Sequence, residues 1–225
     1  DVVNEALNED GSLRNSVFLD KLGPGYIVAA FRLAEKASPN TELYYNDYNI
    51  EQPLKRNGCL ELVKKIQEAG VRIDGVGIQG HWQLGKIPFA AIEESIIAYH
   101  SLGLKVLITE LDIDVLPGNY QGADLTLQQA AADSSLNPYA KEIPDSILVK
   151  QAKDYEKLFQ LLLKHKDKIA RVTFWGVEDG SSWLNGWPMR GRTNFPLLFD
   201  RQLLPKPAYH AVMGLKQLPT YEPFN

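Results

Sequence analysis

The stretch KVLITELDI, residues 105–113, decides how this chain folds. Its apolar run VLI is rich in β-branched residues, which is typical of a strand buried on both faces of a parallel sheet. The run ends in Glu110 and Asp112, which are two residues apart and therefore lie on the same side of a strand. A carboxylate at the end of a buried strand is costly to desolvate unless it is paired or takes part in chemistry. This stretch alone favours a structural ion pair and a catalytic site equally.

The same pattern occurs at four other places, and this repetition favours the catalytic site. Short apolar stretches end in polar or aromatic residues at 1–5, 43–49, 75–82 and 171–176, and helical patterns separate them. Such an alternation predicts a parallel α/β fold. In a parallel α/β barrel the carboxyl ends of all strands meet at one rim, where active sites lie. The side chains at these strand ends are therefore expected in one cleft.

Apolar residues between the predicted strands recur at helical spacing. We predict helices at residues 25–37, 55–69, 88–102, 147–164 and 206–216. We expect Gly75 and Gly77 to mark close backbone approach at the start of a strand. The longest irregular segment, residues 114–144, is either a functional loop or an insertion without a role.

The composition suits one large α/β domain. The chain has 225 residues, 44% of them hydrophobic, and a formal net charge of −4 without a basic stripe, which argues against a nucleic-acid partner. No apolar run is long enough to span a membrane. The single cysteine, Cys59, excludes an internal disulfide, and its helical surroundings favour a buried structural thiol over a nucleophile.

The predicted strands are too few to close a barrel, since an eight-stranded barrel typically needs about 250 residues. An open sheet with exposed edges would be prone to aggregate. We therefore expect a (β/α)8 TIM barrel of which this chain carries about the last five βα units, strands 4 to 8. Residues 1–225 would then form the C-terminal part of a single catalytic domain whose N-terminal strands lie elsewhere.

Two carboxylates on different strand ends, Glu5 and Glu110, are expected to face each other across the rim. Glycoside hydrolysis uses such a pair: one carboxyl protonates the leaving oxygen, and the other attacks the anomeric carbon or activates water. The two groups need different surroundings to take these different roles. His81 is placed to orient Glu110, and Asp112 to hold the imidazole in one tautomer.

Sugar binding is predicted for the aromatic and amide side chains near these strand ends. The indoles of Trp82, Trp175, Trp183 and Trp187 offer flat faces for pyranose rings, while Asn4, Asn46, Gln79 and the tyrosines offer hydrogen bonds to hydroxyls. A structural histidine and buried tryptophans are the alternatives. A metal site of His81, Glu110 and Asp112 is weakly supported, because the sequence has no His-x-x-x-His or similar pair.

Several motifs together resemble one known family. DVVNEA, LYYNDYNIE, GVGIQGHW, ITELDI and FWGVEDGSSW, followed by PLLFD and PKPAY, look like the C-terminal part of the family 10 glycoside hydrolases, the endo-β-1,4-xylanases. The resemblance covers nearly the whole chain. It implies retention of anomeric configuration, Glu5 as general acid/base and Glu110 as nucleophile, with His81 and Asp112 keeping Glu110 charged. It also implies that no metal and no cofactor is required.

The resemblance further implies which residues bind substrate and where the protein works. The substrate-binding residues would be Asn4, Asn46, Tyr48, Gln79, Trp175, Trp183 and Arg190, with Tyr48 on the leaving-group side. The partners would be xylan and xylo-oligosaccharides, the missing N-terminal part of the barrel and a linked or inserted carbohydrate-binding module. The location would be that of a bacterial secreted, periplasmic or cell-surface enzyme. Two other functions remain open: a barrel hydrolase acting on another β-1,4-glycan, such as cellulose or mannan, and a non-catalytic barrel that captures glycan.

Overall fold

The computed structural model describes residues 1–118, 134–188 and 190–215, which contain six strands and six α-helices. The strands are β1 (Val3–Asn4), β2 (Tyr44–Tyr48), β3 (Gly75–Gln79), β4 (His81–Gln83), β5 (Lys105–Asp114) and β6 (Ile169–Phe174). The helices are α1 (Val17–Leu22), α2 (Tyr26–Ala37), α3 (Pro53–Glu68), α4 (Phe89–Ser101), α5 (Asp145–Lys164) and α6 (Pro207–Gly214). Single 3-10 turns lie at Ser134–Leu136, Asp179–Ser181 and Trp183–Asn185.

All of these strands are parallel and form one sheet. β1 pairs with β2, β2 with β3, and β3 with the first part of β5, while β6 also pairs with β5. The short strand β4 pairs with the end of β5. In this register Asn4 lies opposite Asn46, and Asn46 lies opposite Gly77. The polar ends of the strands are therefore at the same edge of the sheet.

A bulge interrupts β5 where its carboxylates begin. Ile78 pairs with Ile108, but His81 pairs with Asp112. Three residues of β5, 109–111, therefore lie opposite two residues, 79 and 80, at the junction of β3 and β4. The pairing of β5 with β6 shifts at the same place. Bulges re-aim side chains and are common beside active sites.

The direction of two adjacent side chains shows what this bulge does. In a regular strand, Thr109 and Glu110 would point to opposite faces. Here both reach the same side chain: the hydroxyl of Thr109 donates to Oδ1 of Asn46 at 2.6 Å, and Oε1 of Glu110 accepts from Nδ2 of Asn46 at 3.0 Å. The bulge therefore turns Glu110 and Thr109 toward the same amide.

The core lies between the sheet and the helices. Each long helix buries residues at helical spacing against the strands. The buried residues of α3 include Cys59, Leu62, Val63 and Ile66, those of α4 include Ile92, Ile96 and Tyr99, and those of α5 include Tyr155, Leu158 and Leu162. Cys59 is fully buried, and this burial raises the pKa of its thiol to about 12. The expectation of an unreactive structural thiol agrees with this environment.

Gly75 has the predicted close backbone approach, to the carbonyl oxygen of Lys105, whereas Gly77 is crowded by side chains. A Cβ atom on Gly75 would lie 2.3 Å from Cε1 of Tyr44, and one on Gly77 would lie 2.5 Å from Oδ1 of Asn46. Neither position has room for a side chain, because Tyr44 and Asn46 of β2 pack against β3 from one side and residues of β5 from the other.

The predicted elements are found with shifted ends and two differences. The predicted strand at 75–82 is broken at Gly80, which separates β3 from β4, and α1 has no counterpart in the prediction. Helix α1 has no buried residue, and so it lacks the apolar periodicity that identifies helices. Residues 119–133 of the predicted loop at 114–144, together with Lys216, lie outside the described residues, so the role of that loop stays a prediction. Within the described part of the chain, no helix is both long and apolar enough to cross a membrane.

Candidate active site

The strand ends form an open cleft at the carboxyl edge of the sheet. It is lined by Asp1, Asn4, Glu5, Asn46, Gln79, His81, Glu110, Trp175 and Trp183. These residues come from β1, β2, β3, β4, β5 and the segment that follows β6. The expectation that separate strand ends meet in one cleft is confirmed for the residues in this set.

Glu110 is held at both carboxylate oxygens. Its Oε1 accepts from Nδ2 of Asn46 at 3.0 Å, and its Oε2 lies 3.2 Å from Nε2 of His81. The other ring nitrogen, Nδ1 of His81, lies 2.9 Å from Oδ1 of Asp112. The second oxygen of Asp112 accepts from the indole N–H of Trp183 at 2.8 Å. The glutamate is thus supported by a chain that runs from the cleft into the protein.

The charge on His81 follows from its two carboxylate neighbours. Burial alone would lower the pKa of its imidazole, but the charges of Asp112 and Glu110 and their hydrogen bonds outweigh this effect and raise that pKa to about 9. At neutral pH the ring is therefore protonated, and both of its N–H groups donate. One N–H faces Glu110 and the other faces Asp112, so the cation bridges two carboxylates.

Glu5 has different surroundings. Its Oε1 accepts from Nδ2 of Asn4 at 3.2 Å and from Nε2 of Gln79 at 3.1 Å, and its Oε2 lies 3.4 Å from a guanidinium nitrogen of Arg14. Its backbone has φ of 55°, in the left-handed region that residues other than glycine seldom adopt. Its side chain is 31% exposed, against 14% for Glu110. The two carboxyls therefore differ in both partners and solvent access, as two different roles require.

Asn46 connects the two glutamates. Its Nδ2 donates to Oδ1 of Asn4 at 2.9 Å as well as to Glu110, and its own oxygen accepts from Thr109. Asn4 in turn donates to Glu5. The two carboxyls are thus joined by an unbroken hydrogen-bond chain, which fixes the amide orientations between them.

The four tryptophans named as sugar platforms divide into two pairs. Trp175 is 48% exposed and Trp183 is partly exposed, and both line the cleft. Trp82 is buried, with its indole N–H donating to Oε1 of Glu51 at 3.1 Å. Trp187 is also buried, and its ring stacks on Trp183 with centroids 4.9 Å apart. Trp82 and Trp187 do not line this cleft but a neighbouring cavity, which His81 and Trp183 also line, so their role as sugar platforms stays a prediction.

Two other predicted substrate-binding residues lie outside the described cleft lining. Tyr48 is buried at the end of β2, with Nζ of Lys55 3.6 Å from its ring centroid, and Arg190 is exposed. Their roles in binding stay predictions.

Several contributors to the site are missing from the sequence-based prediction. Arg14 follows a turn in a polar loop, and no pattern marks it as a partner of Glu5. Thr109 directly precedes Glu110, but only the bulge in β5 turns it toward Asn46. Among the described residues, no group of three or more His, Cys, Asp or Glu side chains is arranged to hold a metal ion.

The chain belongs to glycosyl hydrolase family 10, whose model matches residues 1–215. It is 42% identical over 217 residues to the endo-1,4-beta-xylanase A of Xylanibacter ruminicola, a match that covers 96% of this chain and 58% of that protein. It is 43% identical over 221 residues to the thermostable celloxylanase of Thermoclostridium stercorarium, covering 97% of this chain and 53% of that protein. The chain thus spans somewhat more than half the length of these relatives.

Solved structures place the fold in the same family. A family 10 endoxylanase from a sugarcane soil metagenome superposes with a TM-score of 0.90 at 43% identity, over 96% of this chain and 61% of that one. Xylanase B from Clostridium stercorarium F9 superposes with a TM-score of 0.83 at 44% identity, over 94% of this chain and 59% of that one. The predicted fold class is confirmed: the sheet described above is part of a (β/α)8 barrel.

Proposed function

We propose that this chain is the C-terminal part of the catalytic barrel of a retaining endo-β-1,4-xylanase. The observation that carries this proposal is the pair Glu5 and Glu110, which line one cleft from two strand ends in different surroundings. The family membership and the names of the relatives support xylan as the substrate. The shared length supports a single barrel that a further N-terminal segment completes.

In the first step, the Glu110 carboxylate attacks the anomeric carbon while Glu5 protonates the leaving glycosidic oxygen. The attack forms a covalent glycosyl-enzyme and releases the shortened chain. Asn46 and the protonated His81 hold the Glu110 carboxylate in place for this attack. In the second step, Glu5 removes a proton from water, which displaces Glu110 and retains the β-configuration.

Substrate binding is assigned to the side chains around these two carboxyls. The amides of Asn4, Asn46 and Gln79 bind sugar hydroxyls, and the exposed faces of Trp175 and Trp183 stack on pyranose rings. Tyr48 and Arg190 are proposed to contact substrate farther from the cleavage point. No step in this mechanism requires a metal or another cofactor.

The location and the partners are also part of the proposal. Polymeric xylan does not cross a membrane, so an enzyme that cuts internal bonds meets it in the medium, in the periplasm or on the cell surface. A carbohydrate-binding module linked to the barrel, or inserted in it, would hold the enzyme on the polymer. Fractionation of the native host and mass spectrometry of the natural protein test these points directly.

A second substrate has one specific observation in its favour. One relative that is 43% identical is named a celloxylanase, which makes cellulose the competing β-1,4-glycan. A substrate panel must therefore include cellulose beside xylan.

The experiment compares reducing-sugar release from xylan, carboxymethyl cellulose and mannan by the complete natural protein. Glu110→Ala should remove nearly all turnover. Glu5→Ala should spare the glycosylation step of aryl xylosides with good leaving groups, because their departure needs no protonation, but it should slow the second step, in which Glu5 activates water. Glu61→Ala is the matched control, since Glu61 is 63% exposed and pairs with Lys64 on the surface of α3. Proton NMR of the first product should show the β-anomer.

Two results would count against this proposal. An α-anomer as first product would require an inverting mechanism. Binding of xylan without hydrolysis of any of the three polymers would favour a protein that captures glycan.

A further inference from the structure

The side of β2 that faces away from the cleft carries an unusual pair of side chains. Asn46 points into the cleft, whereas Tyr45 and Asp47, its neighbours in the strand, are both fully buried among the helices. Asp47 pairs with Nζ of Lys55 at 2.9 Å, and both side chains have no solvent exposure. A buried ion pair is costly to desolvate, and it often contributes little net stability. Its presence directly behind a catalytic strand therefore suggests a role beyond stability.

A hydrogen-bond chain connects this pair to Glu5. The hydroxyl of Tyr45 donates to Oδ2 of Asp47 at 2.5 Å, and the hydroxyl oxygen of Tyr45 accepts from the backbone N–H of Ala6 at 3.1 Å. Ala6 directly follows Glu5. The backbone N–H of Glu5 itself donates to the carbonyl of Asn46 at 2.9 Å. The amide N–H groups on both sides of the Glu5 Cα are thus bound to β2, one through the backbone and one through the Tyr45 hydroxyl.

This anchoring matters because Glu5 has a backbone conformation that its own side chain does not favour. Its φ of 55° lies in the left-handed region, where a Cβ atom crowds the following peptide unit. Such a conformation persists only where the surrounding structure determines it, and it is concentrated at functional sites. The Tyr45 hydroxyl accepts from the N–H of Ala6, the peptide group that directly follows Glu5. This hydrogen bond can therefore favour the left-handed conformation of Glu5.

The loop that follows Glu5 is tied to the same lysine. Nζ of Lys55 lies 3.4 Å from Oε1 of Glu9, and Nδ2 of Asn49 donates to the other oxygen of Glu9 at 3.2 Å. Farther along, Gly11 packs so closely on Gly58 of α3 that a Cβ on Gly58 would lie 2.3 Å from the Gly11 carbonyl oxygen. The loop therefore returns onto α3 and has little freedom to carry Ala6 away from Tyr45.

We propose that Tyr45 is a positioning residue for the general acid/base Glu5, held in turn by the buried pair Asp47 and Lys55. By binding the N–H of Ala6, the Tyr45 hydroxyl keeps Glu5 in the left-handed conformation that directs its carboxyl into the cleft. Without that hydroxyl, the backbone relaxes and the carboxyl moves away from the leaving oxygen. This inference rests on the proposed role of Glu5 and extends it to residues that do not touch substrate.

A purely structural role of the network makes a different prediction. Loss of a buried hydrogen bond would lower stability and affect all substrates alike. A positioning role affects leaving-group protonation specifically, and so its effect depends on how much protonation a substrate needs. The dependence of the rate on the leaving group therefore separates the two roles.

The experiment compares Tyr45→Phe with wild type on two aryl β-xylobiosides, one with a phenyl and one with a 2,4-dinitrophenyl leaving group, in the complete natural protein. For the phenyl substrate we expect kcat to fall about 10- to 100-fold, since small misplacements of a catalytic group have effects of this size. For the dinitrophenyl substrate we expect a change of glycosylation rate of about threefold or less, because its departure needs no acid. KM for the phenyl substrate should stay close to wild type. With the dinitrophenyl substrate the slower second step lets the glycosyl-enzyme accumulate and lowers kcat and KM together, so its glycosylation rate is taken from kcat/KM.

Tyr99→Phe is the matched control. Tyr99, on α4, is also fully buried, and its hydroxyl donates to the carbonyl of Ile50 at 2.7 Å. This hydrogen bond does not involve Glu5 or its neighbours. The control should lose a similar amount of thermal stability without changing the ratio of the two rates. Equal losses on both substrates for Tyr45→Phe, or the same ratio in both variants, would overturn the positioning role.

A Glu5→Gln background separates this inference from the proposed function. If Glu5→Gln alone leaves the phenyl substrate rate intact, the role of Glu5 itself is wrong. If Glu5→Gln is impaired as proposed, then adding Tyr45→Phe should cause no further loss, because the group it positions is already inactive. A full additional loss in the double variant would show that Tyr45 acts by another route.

Discussion

Nε2 of His81 lies 3.2 Å from Oε2 of Glu110, and the opposite ring nitrogen lies 2.9 Å from Asp112. A neutral imidazole has a single N–H and would leave one of these carboxylates without a donor. The protonated ring supplies both carboxylates, which is why the two acids together raise the pKa of His81 to about 9. The charge on this residue is therefore a property of the whole His81, Glu110 and Asp112 arrangement.

The pH dependence of stability should reveal this proton. The pKa of His81 rises from an ordinary value of 6.5 to about 9 on folding, so the folded protein binds the proton more tightly than the unfolded chain does. The resulting stabilisation is fully present below about pH 6.5 and is lost as the pH rises through about 9, with a size of order 3 kcal/mol. The free energy of unfolding, measured from pH 6 to 10 in wild type and in His81→Gln, should converge at high pH. Parallel curves would show that His81 is not the group that titrates.

Activity should also decrease at alkaline pH when His81 loses its proton. Above a pH of about 9, neutral His81 donates to only one carboxylate, and the support of Glu110 weakens. The rate of glycosylation should fall in that range, as measured by kcat/KM against pH on an aryl xyloside with a good leaving group. His81→Gln should lower the plateau and remove this alkaline limb. A wild-type rate that stays constant to pH 10 would contradict the assignment.

Trp183 should contribute through its N–H as well as its ring. Trp183→Phe keeps an aromatic face in the cleft but removes the donor that binds Oδ2 of Asp112 at 2.8 Å. The Asp112 side chain is only 1% exposed, so solvent does not readily replace that donor. We expect a loss of roughly 1–3 kcal/mol in the free energy of unfolding, together with lower kcat. Denaturant unfolding of Trp175→Phe, at the half-exposed ring, serves as control and should show a much smaller change in stability.

Gly77 should be intolerant of a single methyl group. A Cβ there would lie 2.5 Å from Oδ1 of Asn46 and 2.6 Å from Cγ2 of Thr109. Gly77→Ala should therefore push the Asn46 amide away from Glu110 and lower kcat by about 10-fold or more. Overpacking of this kind also costs roughly 1–3 kcal/mol of stability. Gly214→Ala is the control, because nothing lies within 4 Å of its added methyl group. Equal activity of the two variants would show that the Asn46 amide is not critical.

The sequence determines which residues meet in the cleft but not how they are aimed. The apolar stretches and their alternation with helical patterns can be read from the sequence, and they are sufficient to predict that Glu5, His81 and Glu110 lie at one rim. The bulge in β5 depends on pairing with β3, β4 and β6 together, and no residue of KVLITELDI marks it. The left-handed φ of Glu5 likewise depends on contacts with β2, which lies some 40 residues away in sequence.

Burial is also underdetermined by sequence. A tryptophan at a strand end serves equally well in the core or in a cleft, and the motif GVGIQGHW does not distinguish the two. The structure places Trp82 inward because Glu51 accepts its indole N–H there. Helix α1 has no counterpart in the prediction for the opposite reason: none of its residues is fully buried, and only Ser16, whose side chain accepts from the N–H of Leu19, indicates where it begins.

Thr109 should set the orientation of the amide that joins the two catalytic carboxyls. Its hydroxyl donates to Oδ1 of Asn46 at 2.6 Å, so the amide must present its Nδ2 toward Glu110 and Asn4. Thr109→Val keeps the shape and removes that donor, which leaves Oδ1 of Asn46 without it and loosens the amide that holds Glu110. We expect kcat on xylan to fall about 10-fold, since one lost hydrogen bond to a charged group is worth about 1.5–3 kcal/mol.

Thr109→Ser keeps the hydroxyl and should retain most of the wild-type rate, which separates the hydrogen bond from the packing of the methyl group. The comparison is made by kcat and KM on xylan for the three proteins at one pH, with thermal unfolding measured in parallel. If Val and Ser substitutions lower kcat equally, the methyl contact matters and the amide orientation is fixed by other contacts. If only Val does so, the bulge in β5 has a defined catalytic purpose: it brings the Thr109 hydroxyl and the Glu110 carboxylate to the same amide.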